Sequence, residues 1–209
     1  MKLTKNVKAM AVASALVAPS FVVSTASAEV SFNAQVASMY LFRGQSASAG
    51  GAAVSGGVDY ENKSGAYAGA WTSSGESTLG NEMDLFVGYK GEAGGVSYDI
   101  SFWNLDYPAV ADSDVNETAL ELGYDKFTFG LVSGEDGYLY TSVAAEFDKV
   151  TLTYGMKTDD ADADYSHVDV AYAATDDVTL TASFPSDDGA GATEEPLYVV
   201  SYEIPLGKK

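Results

Sequence analysis

The stretch Glu82–Phe102, EMDLFVGYKGEAGGVSYDISF, decides the fold. Met83, Leu85, Val87 and Tyr89 alternate with Glu82, Asp84 and Lys90; after a glycine-rich break, Val96, Tyr98, Ile100 and Phe102 alternate with Ser97, Asp99 and Ser101. A period of two places all the apolar residues of such a run on one face of a strand and the polar ones on the other. Two runs of this kind joined through Gly91–Gly95 read as an antiparallel hairpin.

The same period extends in both directions. Val30, Phe32, Ala34, Val36, Tyr40 and Phe42 alternate with Ser31, Asn33, Gln35 and Arg43, and Val54, Val58 and Tyr60 with Ser55, Asp59 and Glu61. Thr118, Leu120, Leu122 and Tyr124 alternate with Glu117 and Glu121, and Val150, Leu152, Tyr154 and Met156 with Thr151, Thr153 and Lys157. Val168, Val170 and Tyr172 alternate with His167 and Asp169, and Val178, Leu180 and Phe184 with Thr179, Thr181 and Ser183. Weaker runs at 66–73, 127–133, 138–147 and 197–204 bring the total to about twelve strands. Pro108, Pro185 and Pro196 are expected between strands and Pro205 after the last, because proline cannot donate to a ladder.

The connections sort by parity. The even ones, at Asn62–Gly65, Gly91–Gly95, Asp125-Lys126, Asp148-Lys149 and Thr175–Asp177, are short. The odd ones, Gly44–Ala53, Ser74–Asn81, Pro108–Asn116, Thr158–Asp164 and Pro185–Glu195, are long and rich in Gly, Ser, Asp and Glu, with Gly134–Gly137 intermediate. Short turns on one rim and long loops on the other are the pattern of an outer-membrane barrel. A Greek-key sandwich gives no such sorting. The expectation is an all-β chain forming a closed antiparallel up-and-down transmembrane β-barrel with both termini in the periplasm.

Aromatic residues suggest two belts. Tyr60, Tyr67, Tyr89, Tyr98, Tyr124, Phe127, Phe147 and Tyr172 flank the short turns. Tyr40, Phe42, Trp71, Trp103, Tyr107, Tyr138, Tyr140, Tyr154, Tyr165, Phe184 and Tyr198 lie near the opposite ends. Amphipathic rings settle at membrane–water boundaries. Belts some eight residues apart on tilted strands are roughly 20 Å apart, near the ~25 Å apolar band of such barrels.

The N-terminus points to export. Lys2, Lys5 and Lys8 precede an apolar run, Ala9–Val23, and then Ala26-Ser27-Ala28, so residues 1–28 read as a cleaved secretory signal and 29–209 as the barrel domain. Removing the signal takes away three of the eleven Lys+Arg and none of the thirty Asp+Glu. So acidic a chain disfavours nucleic acid and anionic lipid surfaces as partners. Cysteine is absent, so disulfides contribute nothing. No later stretch is long and apolar enough for a transmembrane helix, so a membrane location requires a closed barrel.

Specific residues carry a family resemblance. Tyr40-Leu41-Phe42-Arg43-Gly44 is followed by Ser46, Gly56-Gly57, Asp59-Tyr60, Ser64-Gly65, Tyr67, Gly69 and Trp71, then by Glu82, Asp84-Leu85, Gly88-Tyr89, Tyr98-Asp99 and Tyr107-Pro108. This pattern resembles the TorF-type family of proposed porins, also described as a bacterial protein family of unknown function. The resemblance implies an outer-membrane location and a pore role, and brings no substrate or catalytic residue. Met39 stands where a polar residue is expected. The chain ends Gly207-Lys208-Lys209 in place of a terminal aromatic, with Tyr202 and Ile204 as a displaced version.

If apolar residues face lipid, the polar face should line a pore. The candidates are Arg43, Asp59, Glu61, Glu82, Asp84, Lys90, Asp99, Glu121, His167, Asp169 and Glu203. Rings of carboxylates favour cations. Arg43 could pair with inward acids, narrow the pore or anchor a turn. A catalytic triad is not expected, because His167 is the only histidine; with Asp169 it reads as an inward polar pair. No cofactor is expected. Asp159, Asp160, Asp162 and Asp164 are weak candidates for a divalent cation, with a solvated loop as the plainer reading. Cations on such acidic loops would bridge to lipopolysaccharide.

The expected partners are outer-membrane lipid and lipopolysaccharide, the barrel-assembly machinery during insertion, and small hydrophilic solutes. Two other readings stay open: a non-conducting structural or adhesive barrel working through its acidic loops, and a soluble ligand-binding barrel. Twelve strands enclose more space than their interior side chains need fill, so a lumen is expected unless loops fold into it.

Overall fold

The computed structural model describes residues 29–160, 164–187 and 195–206. The signal segment, Asp162, Glu194 and the Gly207-Lys208-Lys209 end lie outside the described residues.

Twelve strands close into one barrel: β1 (Glu29–Ala37), β4 (Ala53–Glu61), β5 (Ala66–Glu76), β6 (Gly80–Ala93), β7 (Val96–Asp106), β8 (Val115–Tyr124), β9 (Phe127–Ser133), β10 (Leu139–Phe147), β11 (Val150–Thr158), β12 (Tyr165–Ala173), β13 (Val178–Asp187) and β14 (Leu197–Glu203). Each pairs antiparallel with its chain neighbours, and β14 returns to β1 through Gln35↔Glu203, Val36↔Tyr202 and Ala37↔Ser201. Two further short strands, β2 (Leu41–Phe42) and β3 (Gln45–Ser46), form a separate hairpin.

The alternation is oriented as a membrane barrel requires. Leu85, Val87 and Ile100 are 51%, 56% and 50% exposed on the outer surface, with Phe32, Val54, Phe102, Leu152 and Val200 on the same band. Glu82, Asp84, Lys90 and Asp99 from the same strands are buried inside. An exposed apolar belt this extensive is not sustained by a monomer in water. Against lipid it needs no cover, and β14 closes the sheet on β1 over Gln35–Ala37.

The short turns follow from local chemistry. Gly94 and Gly95 both have positive φ (63° and 83°), the backbone that a two-residue hairpin turn needs to match strand twist. Asp125 and Asp148 supply the left-handed residue at the two Asp-Lys turns.

Four details differ from the sequence reading. The first strand ends at Ala37, not at Phe42: the chain leaves the wall at Ser38 and turns inward, with Arg43 (φ 47°) and Gly44 (φ 82°) in left-handed backbone. The expected long loop Ser74–Asn81 shrinks to residues 77–79, because β5 and β6 continue pairing past a bulge. Pro185 lies within β13, opposite His167. It is tolerated there because pairing with β14 stops at Ser183, so one side of the strand is an edge. The upper aromatic belt is the fourth difference. Tyr154, Phe184 and Tyr198 face outward, but Tyr40, Trp71, Trp103 and Tyr140 are buried in the interior, as is Tyr67 from the lower belt. Tyr60, Tyr89, Tyr124, Phe127, Phe147 and Tyr172 do form an exposed belt at the short-turn rim.

Candidate functional site

The interior of the barrel gathers most of the residues of chemical interest, and it has two unlike walls. On β5, β6 and β7, Tyr67, Trp71, Phe86 and Trp103 point inward, with Phe86 stacked on Trp103 at 4.2 Å between centroids. On β11 to β14 the inward residues are Thr151, Thr153, Asp169, Thr181, Ser183 and Ser201, all buried. Inward charges come from both walls: Glu82, Asp84 and Lys90 on β6 and Asp99 on β7 beside the rings, and His167 and Asp169 on β12 among the hydroxyls.

Towards the long-loop rim the β1–β4 connection enters the barrel. Its tip carries Arg43, which is 2% exposed and donates to both carboxylate oxygens of Glu117 on β8, at 2.8 and 2.6 Å. The guanidinium also donates to the Tyr138 hydroxyl and lies over the rings of Phe42, Tyr138 and Tyr140. The Tyr40 hydroxyl donates to Glu82 at 2.7 Å, and its ring packs on Trp71. Burial, reinforced by the charge of Glu82, pushes the Tyr40 hydroxyl above the ordinary phenol range, so it stays a donor. Burial raises Tyr138 as well, against the pull of Arg43.

Beside the loop tip, Tyr140, His167 and Asp169 form a chain. The Tyr140 hydroxyl is 3.0 Å from His167 Nε2, and His167 Nδ1 is 2.9 Å from Asp169 Oδ1. All three are buried. This hydrogen-bonded relay fixes the imidazole. Any catalytic use would need room for a substrate, and Gly44 closes against the His167 ring so tightly that a Cβ there would overlap it.

Towards the short-turn rim a second set meets. Lys90 pairs with Glu61 at 2.7 Å, the Tyr67 hydroxyl donates to Asp99 at 2.6 Å, and Asn33 donates to Asp59 at 3.3 Å. Glu121 stands opposite Asp99 across the β7–β8 ladder. Glu203 is exposed at that rim.

All eleven residues singled out in the sequence thus take inward positions or, for Glu203, the rim. They form two groups, not one continuous ring. Arg43 does pair with an inward acid, though with Glu117, which the alternation places on the polar face without marking it out. Lys157, Tyr138 and Tyr140 were not singled out as interior residues either. Among the described residues of the acidic connection, Asp159 pairs with Lys157 at 3.4 Å, and the Asp164 carboxylate accepts from the Asp159 backbone N–H. Among the described residues no three His, Cys, Asp or Glu side chains converge as metal ligands.

Comparison with known proteins follows the fold. A family model described as a bacterial protein of unknown function, Gcw_chp, matches residues 23–206. No curated protein sequence matches. Among solved structures, the KdgM porin in complex with disordered oligogalacturonate aligns with a TM-score of 0.54 at 9% identity, covering 86% of this chain and 100% of that one. At that identity the likeness is one of fold, a closed barrel. A mutant Rh. blastica porin aligns with a TM-score of 0.47 at 15% identity over 73% of this chain and 55% of that one. Outer membrane phospholipase A from Escherichia coli aligns at 0.46 and 11% identity, over 86% and 98% respectively.

Proposed function

We propose that this chain, which belongs to the Gcw_chp family of bacterial proteins of unknown function, is a porin-like outer-membrane protein that passes small hydrophilic solutes or ions and weakly favours cations. One observation carries the reading: a closed twelve-stranded barrel turns its apolar side chains outward and its carboxylates inward. A soluble ligand-binding barrel needs the reverse, and that alternative is set aside on this ground.

The interior charge supports the cation preference. Glu61, Glu117 and Asp159 are paired with Lys90, Arg43 and Lys157, while Asp59, Asp84, Asp99, Glu121 and Asp169 also face inward. Such an excess of carboxylates attracts cations and repels anions. KdgM holds an oligogalacturonate, a polyanion; the interior here opposes one.

The rest of the reading goes with this proposal. Residues 1–28 act as an export signal, the short turns face the periplasm and the acidic loops face outward towards lipopolysaccharide. The barrel-assembly machinery inserts the chain, and the TorF-type porin resemblance at Tyr40–Gly44 reflects shared function. No catalytic role is proposed. A non-conducting structural barrel is the second reading, favoured by how little of the interior is open: Asp169, Ser183 and Val132 are 0–1% exposed. Purified protein in planar bilayers tests both. Discrete conductance steps, with a reversal potential in a potassium chloride gradient that reports potassium over chloride, support the porin; a silent bilayer with correctly folded protein supports the structural barrel.

A further inference from the structure

We propose that residues 38–52, the connection from β1 to β4 that enters the barrel, are a gate, and that their withdrawal opens an aqueous path along the inner wall of β11–β14 while the aromatic wall of β5–β7 stays packed. The inference rests on the porin reading and deepens it by placing the path and the element that closes it.

The aromatic wall is held by its own strands. Tyr67 meets Phe86 edge-on, Phe86 stacks on Trp103, and the Tyr67 and Phe86 rings sit in notches cut by glycine. A Cβ at Gly69 would overlap the Phe86 ring, and one at Gly88 would overlap Tyr67. None of these contacts needs the loop. Removing the loop therefore leaves Tyr67, Phe86 and Trp103 packed on one another, although it uncovers Trp71, on which Tyr40 lies.

The opposite wall is in conflict with its surroundings. Asp169 Oδ2, Thr153 Oγ1, Thr181 Oγ1 and Ser201 Oγ are buried and have no hydrogen-bond partner among the described residues. The register joins them: Thr153 stands opposite Asp169, Asp169 opposite Ser183, and Thr179 opposite Ser201, with Thr181 on the diagonal between. The four groups form one polar stripe running towards the short-turn rim. Stripping water from such groups without replacing its hydrogen bonds is unfavourable. Ser73 Oγ and Asp84 Oδ1 on β5 and β6 are also buried without partners among the described residues, so hydration favours the loop-out arrangement at both walls and more strongly along this four-group stripe.

The tip of the loop is held by polar latches that water can replace. Arg43 pairs with Glu117, and the Ser183 hydroxyl donates to the Gly44 carbonyl at 3.4 Å. Arg43 Nε and Gln45 Nε2 are themselves buried without partners among the described residues. Arg43 occupies left-handed backbone, which a non-glycine side chain disfavours. A loop whose buried tip is both strained and incompletely bonded is poised between two arrangements.

The absence of cysteine makes the test direct. Thr181→Cys on the hydroxyl wall and Ser101→Cys on the aromatic wall are each made with and without Arg43→Ala, reconstituted in liposomes, and reacted with a small cationic methanethiosulfonate. Heat-modifiable gel mobility confirms folding, and bilayer conductance is recorded for each. Losing the charge-assisted latch should speed labelling at Thr181→Cys about ten-fold, leave Ser101→Cys unchanged and raise mean conductance severalfold. Gly44→Ala, which the His167 ring excludes, should act like Arg43→Ala. Equal labelling of Thr181→Cys with and without the latch would overturn the gate, and equal acceleration at both positions would overturn the choice of wall. Faster labelling at Thr181→Cys with no conductance in any variant keeps the gate and refutes the porin reading instead.

Discussion

Arg43 and Glu117, 74 residues apart in sequence, meet inside the barrel through two hydrogen bonds of 2.8 and 2.6 Å, one partner on an inserted loop and the other on the wall. The loop that carries Arg43 also brings Tyr40 to Glu82 and Gly44 to His167.

Breaking a buried pair by removing one partner is costlier than removing both. A lone buried charge carries a penalty of about 3–5 kcal/mol, reduced to whatever it costs the loop to leave. Arg43→Ala and Glu117→Ala should each lower the heat-modifiability midpoint more than the Arg43→Ala/Glu117→Ala double variant does. An additive double variant would show that the two groups are not coupled in the folded protein.

The lipid-facing and interior positions of β6 should respond oppositely to charge. Leu85→Arg places a guanidinium in the apolar band, at about 2–4 kcal/mol if it lies near the membrane midplane. Folding into lipid vesicles should fall sharply. Asp84→Asn, one residue away on the interior face, should fold as well as the parent.

The glycine notches should be intolerant of methyl groups. Gly69→Ala and Gly88→Ala drive a Cβ into the Phe86 and Tyr67 rings. Overpacking of this kind costs about 1–3 kcal/mol. Near-ultraviolet circular dichroism should lose part of its aromatic signal, whereas Gly50→Ala, strained by its φ of 81° but with open space around it and no ring to displace, should leave that signal intact.

Cation preference should depend on the lower group of acids. Neutralising Asp99 and Glu121 together, as Asp99→Asn/Glu121→Gln, should move the reversal potential towards zero. Raising the salt to about 1 M, where screening acts within ~3 Å, should shrink the preference of the unmodified protein. A parent channel that favours chloride would refute this assignment.

Much of the fold was legible because alternation and loop parity are properties of the chain itself. Residues 82–102 carry strand, facing and turn together, and the Asp-Lys turns mark their own positions. The inserted loop was not legible. Tyr40 and Phe42 keep the register of Val30–Val36 across Ser38, and the Glu117 that holds Arg43 inside is far away in sequence. The two tryptophans misled for a related reason. Ala66, Ala68 and Ala70 on the outer face of β5 are too weakly apolar to show which way Tyr67 and Trp71 point. The notches that admit the inward rings come partly from a neighbouring strand. The site was legible as a set of inward acids; its division into two groups depends on cross-strand contacts that no single run of sequence records.

Fluorescence quenching in vesicles with brominated acyl chains tests the facing of the strands most directly, because the chain has two tryptophans and both point inward. Trp71 and Trp103 should be quenched weakly in the folded parent, while Leu85→Trp should add a strongly quenched signal. Strong quenching of the native tryptophans together with a shielded residue 85 would mean that the strands face the other way, and the membrane-barrel account would fail.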